Sequence, residues 1–334
     1  MGLEVEWYDF VCFGIIGVAV IGALWVLWVN ETVSRSDYDS IYESLLVARP
    51  DNEVVNILPR GHVSTSQLWT SCWRGLHPLC LFATRFTSFL VMAVLLIWDL
   101  VQYGASTLYY YTEWTWTLVM IYFALGSLVS AYGCWCYLKP PQNGTQAEFH
   151  KRDLECEGSM PKSRSTEEEF QQRAGFLDEF SQKVGLKFKL IFWIEQICAG
   201  AVVLTDIVFW CVIVPFMKIS HLDLNPLTDC MHSLNAVFLL VDTALNSLPF
   251  PWFRIAYFVL WSCAYIIFQW VVHACGLISW WPYPFIVLNS PWAPVWYLCL
   301  AVVHIPCYGL YALIVIAKDK IFARLFPRAF LRPY

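Results

Sequence analysis

The chain has 334 residues, of which 58% are hydrophobic and only 14% charged, and its 21 Lys and Arg against 26 Asp and Glu leave a formal net charge of −5. Basic and acidic residues share the same segments, so no basic footprint for nucleic acid is present. The 13 cysteines form no CxxC pair, and most lie inside apolar stretches, as Cys198, Cys211, Cys263 and Cys299 do, which reads as packing rather than a disulfide framework or a zinc site.

Seven apolar stretches follow in chain order, at 8–28, 83–103, 111–137, 190–216, 228–248, 252–275 and 294–317. Each is near the roughly 20 residues that a membrane-spanning helix needs. The first carries Glu4 and Glu6 ahead of it with no Lys or Arg, and its apolar run exceeds the h-region of a signal peptide, so it is expected to stay as an anchor. Position 6 is Glu where a myristoylation motif wants Ser or Thr. Arg85 sits in the first turn of the second stretch, from which it is expected to snorkel to the headgroups.

Positive charge falls almost entirely in alternate gaps. Arg35, Arg49, Arg60 and Arg74 follow the first stretch, a basic run from Lys139 to Lys189 follows the third, Arg254 the fifth, and Lys318 to Arg332 the seventh; the other exposed segments hold only Lys218. By the positive-inside rule the fold is expected to be all-α, an integral membrane bundle of seven transmembrane helices with the N-terminus outside and the C-terminus cytoplasmic. Its organisation reads as an extra N-terminal helix (1–29), a cytoplasmic loop (30–82), a six-helix core (83–317) into which the cytoplasmic loop 139–189 is inserted, and a cytoplasmic tail (318–334). Irregular structure is expected in the first loop. In the second, Ser165-Thr166-Glu167-Glu168 fits a capping box, and Phe170, Leu177, Phe180 and Val184 predict an amphipathic helix on the inner membrane surface. The glycosylation patterns at Asn30 and Asn143 lie on the cytoplasmic side and are expected to go unused.

Polar residues inside spans are costly and are functional candidates by default. In the fifth span His232, Asn235, Asp242 and Asn246 recur on one helical stripe that must face inward, with Ser233 and Thr243 off it and free to bond their own backbone. Chain direction puts His232 and Asn235 in the outer half, where Asp99, Thr112, Glu113 and His273 also lie; Asp206 and His304 are near mid-span. Two chemistries suit this set. A Thr112 hydroxyl activated by the His232 imidazole would be a nucleophile. His232, His273 and His304 with a carboxylate would be a metal site, although no HxxxH or HxxE spacing fixes two ligands on one face. No cofactor is called for.

The stretch Tyr110-Tyr111-Thr112-Glu113-Trp114, the segment Met231-His232-Ser233-Leu234-Asn235 with Asp242 beyond it, and Trp281-Pro282-Tyr283-Pro284-Phe285 together resemble the androgen-induced and rolling-stone family of polytopic membrane proteins, over about residues 80–317. The resemblance implies a six-helix core and, by its hydrolase members, a threonine hydrolase of fatty acid esters of hydroxy fatty acids, with Thr112 and His232 at the catalytic positions. This chain differs in its added N-terminal span, its longer loop before span four and the Glu113-Trp114 that follows the Thr. The expected function is a membrane-embedded hydrolase of long-chain acyl esters: Thr112 is the nucleophile and His232 the base, supported by Asn235 or backbone amides as oxyanion donors and by Glu113 and Asp99 as neighbouring carboxylates. Its partners are membrane lipids and a fatty acyl ester substrate, in an endomembrane or the plasma membrane. Two other classes stay open. One is a non-enzymatic scaffold or adhesion and fusion protein, whose stripe only ties helices together; the other is a channel or carrier, which Leu239, between the two halves of the stripe, argues against.

Overall fold

The computed structural model describes residues 6–47, 68–138, 190–216, 226–288 and 290–331. The helix expected from Ser165 onward, and Asn143, lie outside the described residues. Helices occupy all seven apolar stretches: α1 Trp7–Val47, α2 Pro78–Tyr103, α3 Tyr111–Leu138, α4 Leu190–Ile213, α5 Pro226–Leu245, α6 Ile255–Ala274 and α7 Ala293–Leu325. The chain is an all-α, multi-pass bundle of membrane type. Six of these helices are long and apolar enough to cross a membrane; α5, which carries the polar stripe, is not among them.

Local chemistry sets the helix ends that matter. His77 accepts the Leu79 N–H at 3.1 Å and Pro78 takes the first turn of α2, where its missing donor is harmless. Gly104 closes α2 at φ 78°, a conformation that favours glycine, and its N–H returns to the Leu100 carbonyl. Two features depart from the sequence expectations. Helix α1 continues to Val47, so the start of the first loop is helical rather than irregular. At about 1.5 Å per residue its 41 residues span roughly 60 Å, about twice a bilayer's hydrocarbon core. Arg85 does not snorkel: it is 0% exposed and donates from Nε to Asp242 Oδ1 at 2.7 Å.

That ion pair anchors the end of the bundle at which α5 finishes, the one that the sequence expectation makes the inner end. Arg85 Nη1 donates to the Leu68 carbonyl at 2.7 Å and to Ser130 Oγ at 3.0 Å, while Tyr122 and Asn246 donate to Asp242 Oδ2. Four segments are tied at one buried carboxylate and guanidinium. Below them residues 68–76 cover the bundle end: the Cys72 N–H reaches the Leu245 carbonyl at 3.0 Å, and Leu331 N–H closes back onto the Cys72 carbonyl at 2.8 Å. Trp73 gathers Phe322, Phe326 and Phe330 around it, so the stretch after α7 folds back as part of the structure. Helix α1 packs beside α6 and α7, and its Glu31 pairs with the buried Arg254 at 3.3 Å, while the Arg254 guanidinium lies 4.0 Å over the Phe192 ring.

Candidate functional site

A cavity of about 180 Å³ opens in the half of the bundle opposite the Arg85–Asp242 pair. Its wall is drawn from six helices: α1 gives Ile15, Ile16 and Ala19; α3 gives Tyr111 and Thr112; α4 gives Leu204, Thr205, Val208 and Ile213; His232 comes from α5; α6 and α7 close the other side. The segment between α6 and α7 adds Tyr283, Phe285 and Ile286. The lining is overwhelmingly apolar, so the few polar atoms that reach it stand out.

Thr112 is held by what precedes it. The short 3-10 turn Ala105–Tyr109 ends on the Tyr109 carbonyl, which accepts from Tyr265 Oη at 2.8 Å and Gln269 Nε2 at 2.7 Å, both on α6. Tyr111 then bonds Ser262 at 2.8 Å, and Thr112 Oγ1 lies 3.5 Å from the Tyr283 hydroxyl. Tyr283 is positioned in turn by its loop. Trp280 bonds through its carbonyl to His273 Nε2 at 2.9 Å, the His273 ring stacks on Trp281 at 3.7 Å, and Tyr297 Oη donates to the Ile286 carbonyl at 2.9 Å.

His232 comes from the stripe, and the stripe faces inward as its spacing predicts: His232, Asn235, Asp242 and Asn246 are all buried. Ser233 and Thr243 donate to carbonyls four residues back. The His232 ring stacks face to face on Phe209 of α4, with centroids 3.7 Å apart and planes 9° from parallel. Its Nδ1 lies 3.9 Å from Asp206 Oδ1, and neither atom has a hydrogen-bond partner among the described residues.

Helix α4 reaches this ring through an irregular turn. Residues Phe209–Ile213 form a π-helical segment, whose wider turn brings residues five apart onto one face. Val208 and Ile213 both line the cavity, whereas at about 100° per residue an unbroken α-helix would splay them by about 140°. Gly200, two turns earlier, lets α4 sit against α6, since a Cβ there would run into the Phe258 ring.

The site residues read from the sequence therefore separate into groups. Thr112 and His232 share the cavity without a hydrogen bond between them. Asn235 lies behind His232 beside Asp206 rather than on the cavity wall; its Oδ1 accepts the Ala236 N–H at 2.7 Å and its Nδ2 has no partner. Glu113 and Asp99 face each other electrostatically as a buried pair on α3 and α2, outside the cavity wall, and one oxygen of each lacks a partner. His273 serves the α6–α7 loop. His304 lines the cavity, with Nδ1 2.6 Å from the Leu300 carbonyl and Nε2 open. Among the described residues no three His, Cys, Asp or Glu come together as metal ligands, and the described cysteines are free thiols. Leu239, 1% exposed, packs between the two polar halves of α5.

Sequence reasoning did not assign the Tyr283 hydroxyl to Thr112 or Asp206 to His232. A signal existed for the second, since Asp206 is an ionisable residue in the middle of an apolar span. No family model, curated protein or solved structure matches this chain.

Proposed function

We propose that the chain is a seven-span protein of an endomembrane or the plasma membrane, N-terminus outside and C-terminus cytoplasmic, that hydrolyses long-chain acyl esters within the bilayer. The observation that carries this reading is the meeting of Thr112 and His232, 120 positions apart in the chain, on the wall of one apolar cavity. An acyl chain suits such a wall, and the scissile ester would lie where its few polar atoms gather. Thr112 Oγ attacks the ester carbonyl, passing its proton to His232 Nε2; the tetrahedral intermediate collapses to an acyl-threonine ester as the leaving alcohol takes that proton. Water, deprotonated by the same imidazole, then attacks the acyl-threonine, releasing the fatty acid and restoring the Thr112 hydroxyl. Tyr283 is the hydroxyl nearest to Thr112 and suits the oxyanion better than Asn235, which stands away from the wall. Membership of the androgen-induced and rolling-stone family, proposed on the motifs around Thr112, His232 and Tyr283, points the same way.

Labelling of membranes with a fluorophosphonate probe tests this reading. Wild-type protein and Thr112→Ser take the label and turn over a long-chain acyl ester, and Thr112→Ala and His232→Ala do neither. Equal labelling and turnover of wild type and Thr112→Ala would remove Thr112 from the chemistry. The second reading, a non-enzymatic scaffold or fusion protein, draws on the absence of a hydrogen bond between Thr112 and His232; it predicts that none of these substitutions changes function while the fold holds.

A further inference from the structure

The hydrolase reading leaves one partly buried carboxylate on α4 unused. Asp206 lies on the helix turn that stacks Phe209 on the His232 ring, so a single element presents an aromatic face to the imidazole plane and a carboxylate to its Nδ1 edge. Both facing atoms, Asp206 Oδ1 and His232 Nδ1, are inaccessible and otherwise unpartnered. An imidazole that is to take a proton must hold its lone pair on the nitrogen facing the substrate and its own proton on the other. A carboxylate opposite Nδ1 selects that tautomer, because it accepts a hydrogen bond from Nδ1–H and repels a lone pair there. The observed 3.9 Å is longer than a hydrogen bond, and catalytic hydrogen bonds commonly shorten as the reacting complex forms. The stack on Phe209 restricts how the ring can turn, leaving closure to a small shift of the Asp206 side chain.

We propose that Asp206 is the positioning residue of the site, holding His232 as the Nδ1–H tautomer with Nε2 directed at Thr112, so that Thr112, His232 and Asp206 form a hydroxyl–imidazole–carboxylate relay across α3, α5 and α4. The π turn at Phe209–Ile213 is the backbone device that makes this possible, because it lets α4 hold the ring with Phe209 and still return Ile213 to the cavity wall. Asn235 also lies close to the Asp206 carboxylate and is a further amide donor beside it. The proposal rests on the hydrolase reading for its consequence in turnover, but the tautomer itself does not depend on it.

Two measurements on full-length protein in detergent or nanodiscs decide it. In the first, nitrogen-15 NMR of histidine-labelled wild type, with His232→Gln to assign the signal, reports the protonated nitrogen of His232. The expected result is Nδ1–H in wild type and a mixed or reversed tautomer in Asp206→Asn; a wild-type His232 that carries its proton on Nε2 overturns the proposal whether or not the protein is an enzyme. In the second, turnover of a long-chain acyl ester by Asp206→Asn falls at least about a hundredfold in kcat with KM within about threefold, and Asp206→Glu recovers part of the loss. Wild-type kcat in Asp206→Asn, with Thr112→Ala inactive, overturns the role of Asp206 and leaves the hydrolase standing. Inactivity of wild type itself, with the Nδ1–H tautomer in place, overturns the hydrolase and leaves the positioning.

Discussion

At its C-terminal end α5 and the residue after it bury Asp242 and Asn246 among hydrogen-bond partners, whereas toward its N-terminal end it buries His232 and Asn235 with Nδ1 and Nδ2 unpartnered. The same contrast extends to neighbouring helices. At the inner end Arg85 donates to Ser130 and Tyr122 to Asp242, whereas Asp206 Oδ1 beside His232 and His304 Nε2 on the cavity wall have no hydrogen-bond partner among the described residues. An unsatisfied buried polar group costs about 1 to 3 kcal/mol, which the network around Asp242 avoids by pairing its members. The inner network is the part of the stripe that holds helices together. The outer group is the part that the proposed function uses.

The largest effect should come from breaking the inner network. Asp242→Ala leaves the Arg85 guanidinium buried without its carboxylate and should cost about 3 to 5 kcal/mol, read as lost folded yield and a lower Tm in detergent. Joining Arg85→Met to Asp242→Leu should restore most of that stability. A double variant as unstable as the single one would show that the ion pair is not what the inner end depends on.

Reactivity of Cys72 sharpens the same comparison, because this thiol lies in the segment that covers the inner end. Burial pushes its pKa up to about 11. The thiolate is the reactive form, so maleimide labelling of Cys72 near pH 7.5 should run roughly a hundredfold or more below that of a free thiol with pKa about 8.5, and rise only toward strongly alkaline pH. Rapid labelling at neutral pH would mean that residues 68–76 do not seal the bundle.

Gly200→Ala should cost about 1 to 3 kcal/mol through overpacking against the Phe258 ring, and it should also disturb α4 above it, so turnover is expected to fall more than stability. The smallest effect belongs to His304→Leu. It gives up one bond to the Leu300 carbonyl and removes an open Nε2, and these nearly cancel, leaving a change within about 1 kcal/mol. Loss of several kcal/mol there would erase the distinction between a satisfied end and an open one.

Much of the fold was legible before any coordinates. The spans 111–137 and 190–216 coincide with α3 and α4 to within a few residues, and the inward stripe of α5 follows from spacings of 3, 7 and 4. These are local properties: a run of apolar side chains sets a helix in a membrane-like bundle, and a period near 3.6 sets its face. The site was legible as residue types and approximate depth. Thr112 and His232 both reach the cavity, yet Asn235, Glu113 and Asp99, placed at the same depth by the same argument, do not.

What the sequence by itself determined is where the helices run, which face of α5 is buried and which half of the bundle each polar residue occupies. The tertiary structure alone decided the partners: Arg85 with Asp242 rather than with headgroups, Asp206 with His232, Tyr283 with Thr112. The physical reason is that a hydrogen bond or ion pair across helices depends on their crossing, register and rotation to within an ångström or so. Those quantities are set by packing among residues far apart in the chain, such as Gly200 against Phe258, and by backbone irregularities such as the π turn of α4 that no residue pattern announces.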